Sequence, residues 1–212
     1  MDWHKKMSIV LLGLPLLLGA CLNLKQPSRK IDFYTLEYDP PKISGLESLP
    51  LVIRMERFSV APMYNTNRIV YRDRSFKRNE YVYHQWRANP GDIVTHFLCR
   101  DIRESSLFKA VLCNDSRSPC SYALEGSIDE FFERDTEDIW QAVLCVSITL
   151  TAENEPDISK RIVFQKTYRA EEACKRKNPQ ALVEAISRAM AKISEEITRD
   201  IYCRLESRYI TH

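Results

Sequence analysis

Between Trp140 and Thr151 apolar and polar side chains alternate more regularly than anywhere else in the chain. Ala142, Leu144, Val146, Ile148 and Leu150 hold one parity, and Gln141, Ser147, Thr149 and Thr151 the other. A period of two puts these sets on opposite faces of a β-strand, one for a core and one facing out. A second pattern answers the first. After Asn178-Pro179, the residues Leu182, Ile186, Ala189, Ile193, Ile197 and Ile201 recur every three or four positions. That spacing is one apolar stripe along a long helix, with Glu195, Glu196, Arg199 and Asp200 on the wet side. A striped helix needs an apolar surface to cover, and the strand offers one, so the two patterns together predict helix packed on sheet.

The rest of the chain adds elements of the same kinds. Tyr122 to Arg134, with Tyr122, Leu124, Ile128 and Phe132 on one side, and Arg161 to Arg169 flank the alternating strand through short polar connections. Those connections predict an antiparallel meander. Shorter strands are expected at 31–38, 51–60, 69–71, 81–86 and 110–113. A first helix begins at Asn89-Pro90, where Asn can cap and Pro suits the first helical position, and carries Ile93, Val94, Phe97, Leu98 and Ile102 inward. The expectation is an α+β domain: a mixed sheet of about six strands with two main helices.

The N-terminus has a different character. Lys5 and Lys6 precede an apolar run from Met7 to Leu18, broken only by Ser8, Gly13 and Pro15. The run is short of the roughly 20 residues that a membrane-spanning helix needs, and has the length of a secretory h-region. Leu18-Gly19-Ala20-Cys21 resembles the lipobox of bacterial lipoproteins, in which cleavage leaves an acylated cysteine at the new N-terminus. The chain therefore divides into a signal peptide (1–20), a polar tether starting at lipidated Cys21 (21–30) and a single domain (31–212). Two or more acyl chains give stable membrane anchoring. Leu22, where an Asp would resemble an inner-membrane retention signal, points to the outer membrane, with the domain on its periplasmic face.

Several function classes drop out. The formal net charge is +2, and no basic stripe argues for nucleic acid. No G-x-S-x-G, Gly-rich phosphate loop or metal-ligand His pair is present, so neither an enzyme, a metal site nor a cofactor is expected. The carboxylates Asp129, Glu130, Glu133, Asp135, Glu137 and Asp138 read as a solvated hairpin end. With Cys21 lipidated, six cysteines remain for an oxidising compartment. Cys113 and Cys120, flanking the polar turn 114–119, are the candidate disulfide.

Three further stretches carry a resemblance. Tyr34-Thr35-Leu36 follows the tether, Pro62-Met63-Tyr64 leads into Ile69-Val70-Tyr71-Arg72, and Trp86 lies shortly before the helix-starting Pro90. In this order and spacing the chain is similar to the ABC-type transport auxiliary lipoprotein family (PqiC-like lipoproteins). Asn65-Thr66-Asn67 and the additional cysteines depart from the family pattern. The resemblance implies a non-enzymatic accessory of an MCE-type ABC transport system, with the MCE-domain protein and the permease and ATPase as partners. Its implied role is to dock the periplasm-spanning component at the outer membrane for transport of phospholipid or other hydrophobic molecules. A homo-oligomer is compatible with it. Tyr64, Tyr71, Tyr83 and Trp86 are the candidate partner-binding aromatics, with core packing as the competing reading, favoured for Trp86. Two alternative functions are a periplasmic lipid carrier, which would need an apolar cavity between sheet and helix, and a regulatory or assembly lipoprotein of an envelope complex.

Overall fold

The computed structural model describes residues 29–210 apart from Ser75, Asn114, Glu137 and Ile139. In chain order the strands are β1 (Asp32–Tyr34), β2 (Leu49–Met55), β3 (Ser59–Val60), β4 (Arg68–Arg72) and β5 (Asn79–Trp86). After helix α1 (Pro90–Glu104) come β6 (Phe108–Leu112), β7 (Tyr122–Asp135) and β8 (Trp140–Ala152). The short helix α2 (Ile158–Arg161), β9 (Ile162–Ala173) and the 32-residue α3 (Pro179–Ile210) complete the chain. Both long helices start as their sequences predict. The Asn89 side chain accepts from the Gly91 amide at 2.9 Å with Pro90 at the first position, and Asn178 Oδ1 accepts from the Ala181 amide at 2.9 Å.

Among the described residues nine strands form one mixed sheet in an α+β fold, larger than the six expected. The long β7 organises it. Along one edge β7 pairs antiparallel with β8 over nearly its whole length, and β8 pairs antiparallel with β9, which is the predicted meander. Along its other edge β7 takes three short parallel partners in succession: β2 opposite Tyr122 to Leu124, β3 opposite Ser127 and Ile128, and β4 opposite Glu133 and Arg134. The stretch expected as one strand over 51–60 thus divides in two, as does the edge it follows. β5 pairs antiparallel with β4, β1 lies parallel to β5, and β6 lies parallel to β2.

The strand–helix match holds in detail. Ala142, Leu144, Val146, Ile148 and Leu150 are buried, and so is the whole α3 stripe. One phase assignment needs correcting. A bulge at Asp129 shifts the register between Ile128↔Val146 and Glu130↔Cys145, and reverses the facing of every residue after it. Phe131, opposite Leu144, therefore joins the core face that Phe132 was expected to occupy. Phe132 pairs with Val143 on the other face, and both phenylalanines are buried. The bulge is held by Asp129, whose carboxylate accepts from the Ser127 and Ser147 hydroxyls.

Residues Ile31–His212 form one compact unit, and the core cluster from Leu36 to Leu205 lies entirely within it. Among the described residues no helix is long and apolar enough to cross a membrane.

Candidate functional site

The residues that follow the tether build an exposed apolar sheet edge. Among the described residues β1 pairs only with β5, which leaves its outer edge open. Phe33 at its centre is 52% exposed, and the Arg87 guanidinium lies 5.4 Å from its ring centroid. Tyr34 turns the other way and meets His84, its hydroxyl 3.1 Å from Nδ1, with Asp32 3.7 Å from the same nitrogen.

An irregularity in β5 enlarges the patch. Pairing with β4 jumps from Arg68↔Gln85 to Val70↔Glu80, so β5 carries surplus residues that break its alternation. The consecutive Val82 and Tyr83 consequently both face outward, Val82 with 61% of its surface exposed. A groove of about 360 Å³ runs between β1 and the first turns of α3, lined by Phe33, Tyr34, Glu37, Val183 and Ser187. The Glu37 amide donates to Ser187 Oγ at 3.1 Å across its floor. Apolar surface framed by hydrogen-bonding groups suits recognition of another chain.

The aromatic residues singled out from the sequence separate here. Tyr64 ends a 3-10 turn (Pro62–Tyr64) and is buried, stacked on Phe132 with ring centroids 5.7 Å apart. Trp86 is buried edge-on against Phe131 at 5.0 Å. Neither can belong to an exposed contact surface, because the sheet and the turn close over them. Tyr71 is half-buried against Tyr81, centroids 5.0 Å apart, and Tyr83 is exposed. The Pro-x-Tyr turn therefore presents its middle residue, Met63, to solvent and keeps its tyrosine. Asn65, where the chain departs from the family pattern, accepts from the capping Asn89 side chain at 2.8 Å and so ties this turn to α1.

The cysteines also need correction. Cys113 is bonded to Cys99 across a Cα separation of 6.4 Å, not to Cys120. Cys99 lies on the buried side of α1 and Cys113 directly follows β6, so packing brings together two residues that no local turn connects. Cys120 is a free buried thiol whose pKa is raised by burial, and the half-buried Cys174 thiol is pushed up to about 12 by the same cause. Both stay protonated and unreactive at neutral pH. Cys145 is free and buried, Cys203 free and exposed. Cys21, the expected lipidation site, lies outside the described residues.

Glu133, expected from the sequence among the carboxylates of a solvated hairpin end, is the exception among the described residues of that cluster. The bulge at Asp129 sends it inward, where it is fully buried and accepts from Tyr81 Oη at 3.1 Å and from Trp140 Nε1. Burial raises its pKa despite those donors. It ties β5, β7 and β8 together at one end of the sheet. Among the described residues no group of three or more His, Cys, Asp or Glu is placed to hold a metal ion.

Comparison with known proteins adds a family. The family described as "ABC-type transport auxiliary lipoprotein component" matches residues 34–198. The fold is similar to that of a protein from Xanthomonas campestris, at 14% identity and a TM-score of 0.75, covering 84% of this chain and 99% of that one. It is also similar to an uncharacterized protein of known structure, at 13% identity and a TM-score of 0.64, covering 81% and 99%. No curated protein sequence matches.

Proposed function

Since the chain belongs to the ABC-type transport auxiliary lipoprotein family, we propose that it serves an MCE-type transport system as a non-enzymatic outer-membrane accessory. Lipidation at Cys21 holds it to the inner surface of the outer membrane, and the domain docks the periplasm-spanning MCE component there. The cargo passing through such a system is phospholipid or another hydrophobic molecule.

The observation that carries this reading is the position of the apolar edge. Phe33 lies twelve residues beyond Cys21, at the first strand of the domain, on a sheet edge with an open side. A fully extended tether can lift it no more than about 40 Å from the anchor. Ile31, Phe33, Val82 and Tyr83 form the contact, and Arg87 supplies a charged rim. The packing between α3 and β8 supports docking over a carrier function, because side chains fill the space where an acyl chain would have to lie.

The test is a photo-crosslinking residue placed at position 33 in cells. The expected product is an adduct with the MCE component, lost when Val82→Asp is introduced as well. A Phe33→Asp chain that is produced, lipidated and folded as usual should lose envelope function. Full function in that variant would sink the proposal.

A further inference from the structure

A second surface lies at one end of the sheet. β4 ends and β5 begins there, Tyr71 opposite Asn79, and the connecting hairpin tip carries Phe76 with its side chain wholly exposed. The flanking residues Arg72, Lys77 and Arg78 are cationic, and Arg74 reaches Asp138 at 2.7 Å. β7 also ends at this level, Arg72 opposite Arg134, and β8 starts and β9 finishes there, Gln141 opposite Ala173. The loop after β9 consequently brings Lys175, Arg176 and Lys177 to the same end, beside a cleft of about 480 Å³ that Trp140 also lines. Lys177 pairs with Asp135 at 3.3 Å and the Arg72 and Arg78 guanidiniums lie 5.0 and 5.8 Å from the Phe132 ring centroid, and the basic residues named outnumber Asp73, Asp135 and Asp138.

The direction of β1 relates this end to the start of the domain. β1 runs parallel to β5, Asp32 opposite His84 and Tyr34 opposite Trp86, so its first residue points toward the end at which β5 begins. The described chain thus enters β1 from the hairpin-tip end of β5, and a tether with a reach of up to about 40 Å allows a membrane anchor to meet that end.

We propose that the β4–β5 hairpin tip is a second membrane contact: Phe76 enters the headgroup boundary of the anchoring leaflet while the basic residues around it bind anionic phospholipid headgroups. An exposed aromatic flanked along the chain by Lys and Arg has the chemistry of an interfacial anchor, the ring leaving water as the cations meet the negative surface. Half-buried Trp140 adds an aromatic of the kind enriched at this depth. A tip seated on the membrane stands β5 upright and lifts Phe33, paired with Gln85, roughly 20 Å above the surface, where the docking edge faces sideways.

Residues 22–212, without lipid, test this independently of the docking role, since the compact unit carries its own core. Flotation is measured with vesicles of equal parts phosphatidylcholine and phosphatidylglycerol, and with phosphatidylcholine alone. The chain should float with the first and not the second, and release as salt rises. Phe76→Ser should weaken binding on the order of tenfold, and Lys175→Glu with Arg176→Glu should abolish it, all with unchanged melting temperature. Equal behaviour on both vesicles, Phe76→Ser binding like the parent, or a tip that binds only an acidic protein and no vesicle would each overturn it.

Discussion

The Tyr81 hydroxyl donates to the Glu133 carboxylate at 3.1 Å in a part of the sheet closed to water. Burial is the larger influence on Glu133 and raises its pKa above the ordinary carboxylate value; the donors Trp140 and Tyr81 oppose it. The folded state therefore holds this proton to higher pH than the unfolded state does. Stability from this group is complete below the unfolded carboxylate pKa and falls as pH rises through the raised folded one. Glu133→Gln keeps an acceptor for both donors and removes the charge. Its melting temperature should exceed the parent's by a few degrees at pH 8, the size of about 1 kcal/mol in a domain like this, and the gap should close near pH 4. A gap that is constant across pH would contradict the assignment.

Phe58 sets a second constraint, because its ring lies over Gly126. A β-carbon at position 126 would come 2.6 Å from Phe58 Cζ, and the ring is fully buried. It cannot swing aside freely, since the Phe58 amide donates to Thr95 Oγ1 at 2.9 Å and its carbonyl lies against Gly91. Gly126→Ala should destabilise the fold by about 1–3 kcal/mol in urea titration. Adding Phe58→Leu should recover part of that loss.

The elements that periodicity reveals are those whose phase stays constant. β8 keeps its alternation from end to end and α3 keeps its stripe over several turns, so both are legible residue by residue. β7 is legible as a strand but not in its facing, because the extra residue at Asp129 leaves hydrophobicity unchanged while reversing the phase, and Phe131-Phe132 satisfies either parity. The candidate site depends on the same kind of event. Val82 and Tyr83 face outward through irregular pairing between β4 and β5, which depends on both strands and not on the local sequence. Tyr64 lies between turn-forming residues and looks exposed, yet a 3-10 turn folds it onto Phe132. Phe33, by contrast, is legible as a large apolar residue on the first strand of the domain, next to a polar tether.

The Cys99–Cys113 bond closes a loop that includes the end of α1 and all of β6. A loop of about 15 residues gains roughly 3 kcal/mol from such a link. Cys113→Ser should therefore lower stability by about that much. Non-reducing peptide mapping should recover the fragments bearing Cys99 and Cys113 joined. Cys120, buried and free, should alkylate only after unfolding, whereas Cys203 should react in the native protein. A peptide joining Cys113 to Cys120 would refute this pairing.

Behind the docking edge, residues 35–48 have no regular structure but are pinned to both long helices. Leu36 is buried, the Glu37 amide donates to Ser187 on α3, and Tyr38 Oη donates to Asp101 Oδ2 on α1 at 2.7 Å. Asp101 is buried and also accepts from Arg100 Nε at 2.8 Å, while the Arg100 guanidinium stacks over Tyr38 and Phe97 at 4.5 and 4.7 Å. Tyr38→Phe removes one hydrogen bond to a charged group and should cost about 1.5–3 kcal/mol. Asp101→Ala should cost more, about 3–5 kcal/mol, because it leaves a largely buried guanidinium without its carboxylate. The sharper readout is local. Amide hydrogen exchange should rise at residues 34–38 in Tyr38→Phe while β7 and β8 remain protected, since the segment next to β1 opens before the meander does. Because β1 rests on that segment's anchorage, the same variant should weaken partner capture without any change to Phe33 itself. Uniform exchange across the sheet would mean that the edge and the meander open as one unit.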